Sequence, residues 1–331
     1  MQPNSQTEQS ANPDVTPGCG TESCIRDFFS SNVPRLSLKS QVSEAVKELC
    51  LSDLMALPVT QNQDNSQPSL FKGEFRVRRL LREIFSMFNS ENISPAIEEL
   101  LGLPVKSFVA QPAGVLNPAD EPEKLLYMMA ASESLMVNVV EEDMLMGVIT
   151  CRSVLKWISG FALDTGTSTE RQSCRSINAV VSQLFETPIN RVIAKDGVSS
   201  ETICLATEDD LFKALWMSTG TGKDFLPVLR RNGQLAGILK TNNILSCLLP
   251  ADSLDLSIGC RSVSAAGKIP VTDLIDLLPE LISQDASVLE AVIRMQRSKQ
   301  MCLGMVNASG EFCGLFSFHD LLNGLLTKSQ S

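Results

Sequence analysis

Hydrophobic and polar positions along this chain follow one pattern that returns four times. Val42, Ala45, Val46 and Leu49 stand at i, i+3, i+4 and i+7, which places them on one helix face. Two short β-rich runs follow, the second carrying a Gly that leads into another amphipathic stretch. The glycines are Gly73, Gly147, Gly237 and Gly314, and the helix markers upstream are Ala45, Leu125, Ala214 and Ala291. Their separations are 28, 22, 23 and 23 residues, three nearly equal and one lengthened by a loop. A repeat of this kind sets the architecture before any motif is read.

The pattern divides the chain into a polar tail at 1–22, repeats at 23–90 and 91–160, a linker at 161–174, a third repeat at 175–250, a linker at 251–265 and a fourth repeat at 266–331. The tail is rich in Ser, Asn, Gln, Pro and Thr and is expected to be disordered. Strands are predicted at 55–59 and 70–75, 135–140 and 145–149, 225–229 and 235–239, and 302–306 and 311–316. The loop at 61–69 accounts for the long first spacing. Asp120 with Glu123, and Thr207 with Asp210, are read as helix-start signals. Val288, Leu289, Val292 and Ile293 form the helix face of the last repeat. A smaller echo, Pro104-Val105, Pro188-Ile189 and Pro270-Val271, leads into later repeats.

Hydrophobic residues make up 44% of the chain and charged residues 20%, enough apolar mass for a sizeable core. A net charge of −10 repels phosphate backbones and argues against nucleic acid as a partner. No run reaches the ~18 apolar residues that would suggest a membrane span. The polar N-terminus does not read as a secretory signal. Ten cysteines stand singly, several inside apolar runs, which reads as reduced thiols in a cytoplasmic or nuclear protein.

A β-α-β-β-α unit of about 60 residues, used in pairs, resembles the CBS domain. Four units filling one chain look like the gamma regulatory subunit of AMP-activated or SNF1-type protein kinases. Leu57-Pro58-Val59 and Leu226-Pro227-Val228 match that family's second-strand motif, and Gly147-Val148-Ile149-Thr150 and Gly314-Leu315-Phe316-Ser317 its third-strand motif. The resemblance implies an α/β fold of four CBS repeats, paired into two tandem Bateman modules that form a flattened disc. It implies a non-catalytic regulatory protein, kinase catalytic and scaffolding subunits as partners, and AMP, ADP or ATP in a cleft between paired repeats. In the family an acid six positions after the third-strand Gly binds ribose, and a Ser or Thr three positions after it lies near phosphate. Here the six-position residues are Arg79, Ser153, Asn243 and Asp320, and the three-position residues Arg76, Thr150, Lys240 and Ser317. Only the fourth repeat keeps both groups. The family's basic positions before the second strand hold Asp224, Phe225, Met301 and Cys302, with Lys223 and Lys299 nearby in a different register.

The nucleotide candidates are therefore Asp320, Ser317, His319, Thr150, Lys299 and Lys223, for at most one site. Each has a plainer reading. Asp320 equally suits a first-turn helix acid. His319, the sole histidine, lacks partners for a triad or a zinc site and is read as facing solvent or a cleft. Ser218 to Lys223 suggests a phosphate loop, but Met217 and Asp224 stand where that pattern needs Gly and Ser or Thr, so a turn is the better reading. Arg76, Arg78, Arg79 and Arg82 make a basic cluster that is either a solvated face or a docking patch. No metal site and no catalytic residue are implied. A homodimer stays open, as does a scaffold with degenerate clefts that binds no nucleotide.

Overall fold

In the computed structural model, the described residues are residue 25 and residues 28–62, 69–87, 93–132, 134–163, 175–193, 203–247, 269–276 and 278–329. The tail predicted at 1–22, residues 63–68 of the loop, residues 164–174 of the first linker and the linker at 251–265 lie outside them.

The first repeat runs β1 (Leu36–Ser37), α1 (Val42–Ser52), β2 (Ala56–Thr60), β3 (Ser69–Arg76) and α2 (Val77–Met87). The second is led in by α3 (Ile93–Gly102) and β4 (Val109–Ala110). It continues β5 (Val115–Leu116), α4 (Pro122–Ala131), β6 (Met136–Glu141), β7 (Met144–Thr150) and α5 (Cys151–Leu163). The third has α6 (Arg175–Phe185), α7 (Ile189–Val192), β8 (Leu205–Ala206), α8 (Leu211–Thr221), β9 (Phe225–Leu229), β10 (Leu235–Lys240) and α9 (Thr241–Ser246). The fourth has β11 (Ile275–Asp276), β12 (Leu281–Ser283), α10 (Val288–Ser298), β13 (Cys302–Val306), β14 (Phe312–Ser317) and α11 (Phe318–Ser329). In every repeat the strand before the first helix runs parallel to the next strand, which pairs antiparallel with the third. The fold is α/β, as the repeat pattern predicts.

Consecutive repeats are interwoven through their lead-in segments. The lead-in of the second repeat lays β4 against β3, and that of the fourth lays β11 against β10. Reciprocally, Ser30 bridges Val148 on β7, with N–H to O distances of 2.9 and 3.0 Å. Three of the four repeated glycines, Gly73, Gly147 and Gly237, lie at this contact. A Cβ on Gly73 would lie 2.6 Å from the Ala110 carbonyl oxygen, one on Gly237 2.7 Å from that of Asp276, and one on Gly147 would strike the Ser30 carbonyl. The Pro echo belongs to the same exchange. Val42 N donates to Leu103 O and Val105 N to Ser40 O, at 2.9 and 2.7 Å. Leu211 with Ile269, and Ile189 with Ala286, repeat this at 2.8 and 2.9 Å. The fourth instance has no proline: Ile25, fully buried, donates to Asp120 O at 3.2 Å.

The helices are shared differently. α2 packs on α8 and α9, α1 on α9, α5 on α10, and α4 on α11. One hydrophobic core therefore joins the first repeat (Val42, Leu49, Leu80) to the third (Leu215, Leu239, Leu245), and a second joins the second repeat (Leu125, Val154) to the fourth (Val292, Leu321). The two tandem modules that the resemblance implies therefore do not each enclose a core of their own. The reason for the difference is geometric: within a pair the contact is made by sheet, exchanged strand and the lead-in helices α3, α6 and α7, and the apolar stripes of the other helices meet the other pair.

Three local readings are corrected. The side chain of Asp120 accepts from Asn117 N at 2.7 Å and does not cap α4, whose N-cap is Glu121 with Pro122 at the first turn. Asp210 itself caps α8, accepting from Lys213 N at 3.0 Å, so Thr207 takes no part in a capping box. On α10 the fully buried face is Val288, Ala291, Val292 and Met295, while Leu289 and Ile293 are half-buried on the outer side.

A buried polar contact also joins the first two repeats. Glu74, 1% exposed, accepts from Asn138 Nδ2 at 2.6 Å and from Arg76 Nε at 2.8 Å. At the equivalent third-strand position the other repeats carry Val148, Ile238 and Leu315. Removing one member of a buried charged pair costs about 3 kcal/mol, whereas replacing the set with apolar groups is close to neutral. Glu74→Leu is thus expected to lower the thermal midpoint clearly, and adding Asn138→Leu to recover most of the loss. Scanning calorimetry on the two variants checks this.

Candidate functional site at the repeat junction

Each third strand passes into its following helix without a break, at Arg76/Val77, Thr150/Cys151, Lys240/Thr241 and Ser317/Phe318. The three-position residue thus stands at the helix N-terminus and the six-position residue in its first turn. A helix N-terminus favours anions because its first N–H groups lack intrahelical partners. What each repeat does with this place differs.

In the first repeat it is filled by guanidinium groups. Arg76 Nη2 donates to Gln111 O at 2.9 Å and Arg79 Nη1 to Val109 O at 3.0 Å, so both turn onto the exchanged strand. Arg78 pairs with Asp224 of the third repeat at 2.9 Å, with 16% and 6% of the two side chains exposed. Arg82 is exposed. Three of the four arginines are therefore structural. In the second repeat Thr150 Oγ1 accepts from Ser153 N at 3.3 Å and caps α5. In the third, Asn243 Nδ2 donates to Leu274 O at 2.7 Å and Lys240 Nζ pairs with Asp276 Oδ2 at 3.1 Å.

The fourth repeat alone presents a hydroxyl and a carboxylate. Ser317 N and Ser317 Oγ both donate to Asp320 Oδ2, at 2.7 and 2.6 Å. This is a capping arrangement, so Asp320 does serve as a first-turn acid. Both bonds fall on one oxygen, and among the described residues none donates to Oδ1. His319, next in sequence, is largely buried beside Asp224, Asp320, Arg78 and Lys223; burial lowers its pKa, the two aspartates acting the other way. Lys223 is exposed just beyond Gly222, whose φ of +65° ends α8, so Ser218 to Lys223 is a helix end and turn, as the motif mismatch implied.

Lys299, left-handed at φ +59° after α10, faces an open cleft of 580 Å³. Asp53 of the first repeat, Arg152 of the second, Lys240 of the third and Asp276, Ser298 and Gln300 of the fourth line it with Lys299. Arg152 Nη2 donates to Asp53 Oδ2 at 2.6 Å. The structure thus gathers Asp320, Ser317, His319 and Lys223 around the start of α11, while Lys299 lines a cleft whose lining includes none of these four. Thr150 stays with α5, where Arg152, two residues on, is the member that lines the cleft. Arg152, Asp53 and Asp276 were missed from sequence because they meet only when four repeats assemble. The available signal was weak: Arg152 occupies the same register as His319 and Arg78, one residue before the six-position.

Two further groups bear on chemistry. Burial pushes the Cys151 thiol up to about 12 and raises that of Cys302 as well, which keeps both protonated at neutral pH and unsuited to nucleophilic attack. Among the described residues no group of three or more His, Cys, Asp or Glu side chains could hold a metal ion, and no helix is long and apolar enough to cross a membrane.

A search of solved structures returns a match over nearly the whole chain. Protein MJ1225 from Methanocaldococcus jannaschii, whose description proposes it as an archaeal homolog of g-AMPK, aligns with a TM-score of 0.70, covering 91% of this chain and 99% of that one at 13% identity. With four βαββα units exchanging lead-in strands two by two, this decides the architecture. The chain has the tandem CBS fold. An uncharacterized conserved protein from Pyrococcus horikoshii aligns at a TM-score of 0.53 and 15% identity, over 92% of this chain and 100% of that one. The CBS domain of a bacterial CNNM/CorC family Mg2+ transporter covers 52% of this chain and 94% of its own length, at a TM-score of 0.37 and 16% identity. No family model and no curated protein matches the sequence. At these identities the likeness is one of fold.

The lowered pKa of His319 has a consequence for stability. Below its ordinary value of 6.5 the unfolded chain binds a proton that the folded chain refuses. Stability therefore falls as pH drops through that value, and levels once the folded group titrates. Urea midpoints measured between pH 7.5 and 5 are expected to fall less in His319→Gln than in the unmodified protein.

Proposed function

We propose that this protein is a non-catalytic regulatory adaptor. It binds the catalytic and scaffolding subunits of a protein kinase in the manner of a gamma-type subunit, in the cytoplasm or nucleus. Its ligand is an adenine nucleotide, AMP, ADP or ATP, at a single place: the start of α11, at Ser317 and Asp320. The observation that carries this reading is the contrast among four equivalent helix starts. All four are capped or covered by the protein's own side chains, and the fourth alone does so with a hydroxyl and a carboxylate, Ser317 and Asp320, whose bonds fall on a single oxygen. The whole-length likeness to a protein proposed as a g-AMPK homolog supports the kinase half.

Regulation follows from differential binding. A ligand at this place favours whichever arrangement of repeats best surrounds it, and the partner reads that arrangement. Closure of the helix starts favours a second reading, a scaffold whose clefts bind nothing.

Titration calorimetry with AMP, ADP and ATP separates the two. One equivalent bound, with affinity reduced about tenfold or more in Asp320→Ala, is the expected result, since a hydrogen bond to a charged group contributes roughly 1.5–3 kcal/mol. No heat at millimolar nucleotide selects the scaffold. Affinity capture from cells that recovers no kinase catalytic subunit removes the adaptor half.

A further inference from the structure

Two helices from different tandem pairs, α2 and α8, pack together, and their contacts at either end fix how they lie. Near the end of α2 the ring of Phe85 sits 5.8 Å from that of Phe212, at the start of α8. Near the start of α2, Arg78 pairs with Asp224, just past the end of α8. The helices therefore run antiparallel, and Arg82 and Trp216, midway along each, stand over the same stretch of the seam. Phe212 and Trp216, four apart, share a helix face, as do Arg82 and Phe85, three apart.

This face is aromatic and open. Trp216 is 55% exposed and Phe212 39%, with Arg82 exposed and Phe85 half-buried beside them. The fold does not ask for aromatics here. In the first repeat the same register, counted from Ala45 as Phe212 and Trp216 are counted from Ala214, holds Ser43 and Lys47 on a helix of the same length. Tryptophan and arginine are among the residues that carry most of the energy at protein interfaces.

Charge and area narrow the occupant. Arg78 is paired with Asp224 and Lys213 with Asp209. Arg82 has no carboxylate partner among the described residues, and Glu83, one position on, does not share its face of α2. A free guanidinium beside aromatic rings, on a chain of net charge −10, complements a segment that carries acids among apolar side chains. Phe212 and Trp216 together expose roughly 200 Å², taking ~150–250 Å² for a whole aromatic side chain. A standard interface takes about 800 Å² from each partner, so this face is too small for a second copy of the chain and suits the anchor of a peptide.

We propose that the seam between α2 and α8 is a docking site for a short acidic, apolar segment of a partner protein. Phe212 and Trp216 seat an apolar side chain of that segment, and Arg82 meets a carboxylate. The site joins the first repeat to the third, so its occupant ties the two tandem pairs together. It rests neither on a nucleotide site nor on a kinase as the partner.

The test selects phage-displayed random peptides on the full chain, with counter-selection on a Phe212→Ser/Trp216→Lys variant, which carries the first repeat's own residues at this register. Peptides retained by the unmodified chain alone are expected to carry Asp or Glu among Leu, Phe or Trp. Synthesised and labelled, they should bind by fluorescence anisotropy and lose about tenfold or more in affinity both in Arg82→Glu and in Trp216→Lys. In Trp157→Phe, where Trp216 is the remaining tryptophan, a selected peptide lacking tryptophan should shift the emission to shorter wavelength. Selected peptides that are neutral or basic, or none that distinguishes the two proteins, would overturn the proposal, as would unchanged affinity in Arg82→Glu. So would either rival occupant. Emission from Trp216 that is already that of a buried ring in the free protein would place another segment of this chain there, and a dimer in sedimentation that Trp216→Lys dissociates would place a second copy.

Discussion

The two long helices of each repeat bury much of their apolar faces against the other tandem pair. Leu49, Leu80, Leu125 and Leu321 are fully buried, and each lies in a core built mainly from two repeats that are not consecutive, completed by the lead-in segments of the other two. Burying such a side chain contributes roughly 1.5–3 kcal/mol, so each core, with some thirty members, outweighs any single polar contact in the molecule. The same constraint explains why the repeat occurs four times. One unit leaves a sheet edge and a helix face open; two cover the edge by exchanging lead-in strands; four cover the helices.

Two seams of different chemistry result. Between consecutive repeats the seam is backbone on backbone, tight enough that Gly73, Gly147 and Gly237 leave no room for a Cβ. Between the pairs the seam is apolar, with polar contacts such as Arg78 with Asp224 and Asn242 with Leu54 O. The cleft lined by Lys299 lies where the seams meet, which is why its lining draws on every repeat.

Much of this was legible in the sequence. Period and helix markers gave the elements to within a residue or two, because amphipathic spacing reports burial and burial is what the fold satisfies. The echo Pro104, Pro188 and Pro270 marked three of four exchange points; the fourth, at Ile25, escaped notice because its lead-in carries no proline. What the pattern could not show was partnership. Periodicity says that α10 has a buried face, but rotating that face by one position moved Leu289 and Ile293 outward, and no spacing names the helix opposite. The same limit hid Arg152 and Asp53, which lie 99 positions apart and meet only in the assembled fold. Asp320 was visible from both sides: its register suggested a ligand group and its place suggested a cap, and its two oxygens allow one role each.

The central claim is that neither tandem pair holds its core alone. The two tryptophans report on opposite pairs: Trp157 lies on α5, its ring 5.1 Å from that of Phe28, and Trp216 lies on α8. Equilibrium unfolding in urea, followed by fluorescence in Trp157→Phe and Trp216→Phe variants and by circular dichroism in each, measures the coupling directly. Each variant is expected to unfold in one transition, with its remaining tryptophan and its circular dichroism giving the same midpoint. Two resolved transitions, one for each tryptophan, would show that the pairs fold as separate units and would contradict the shared cores.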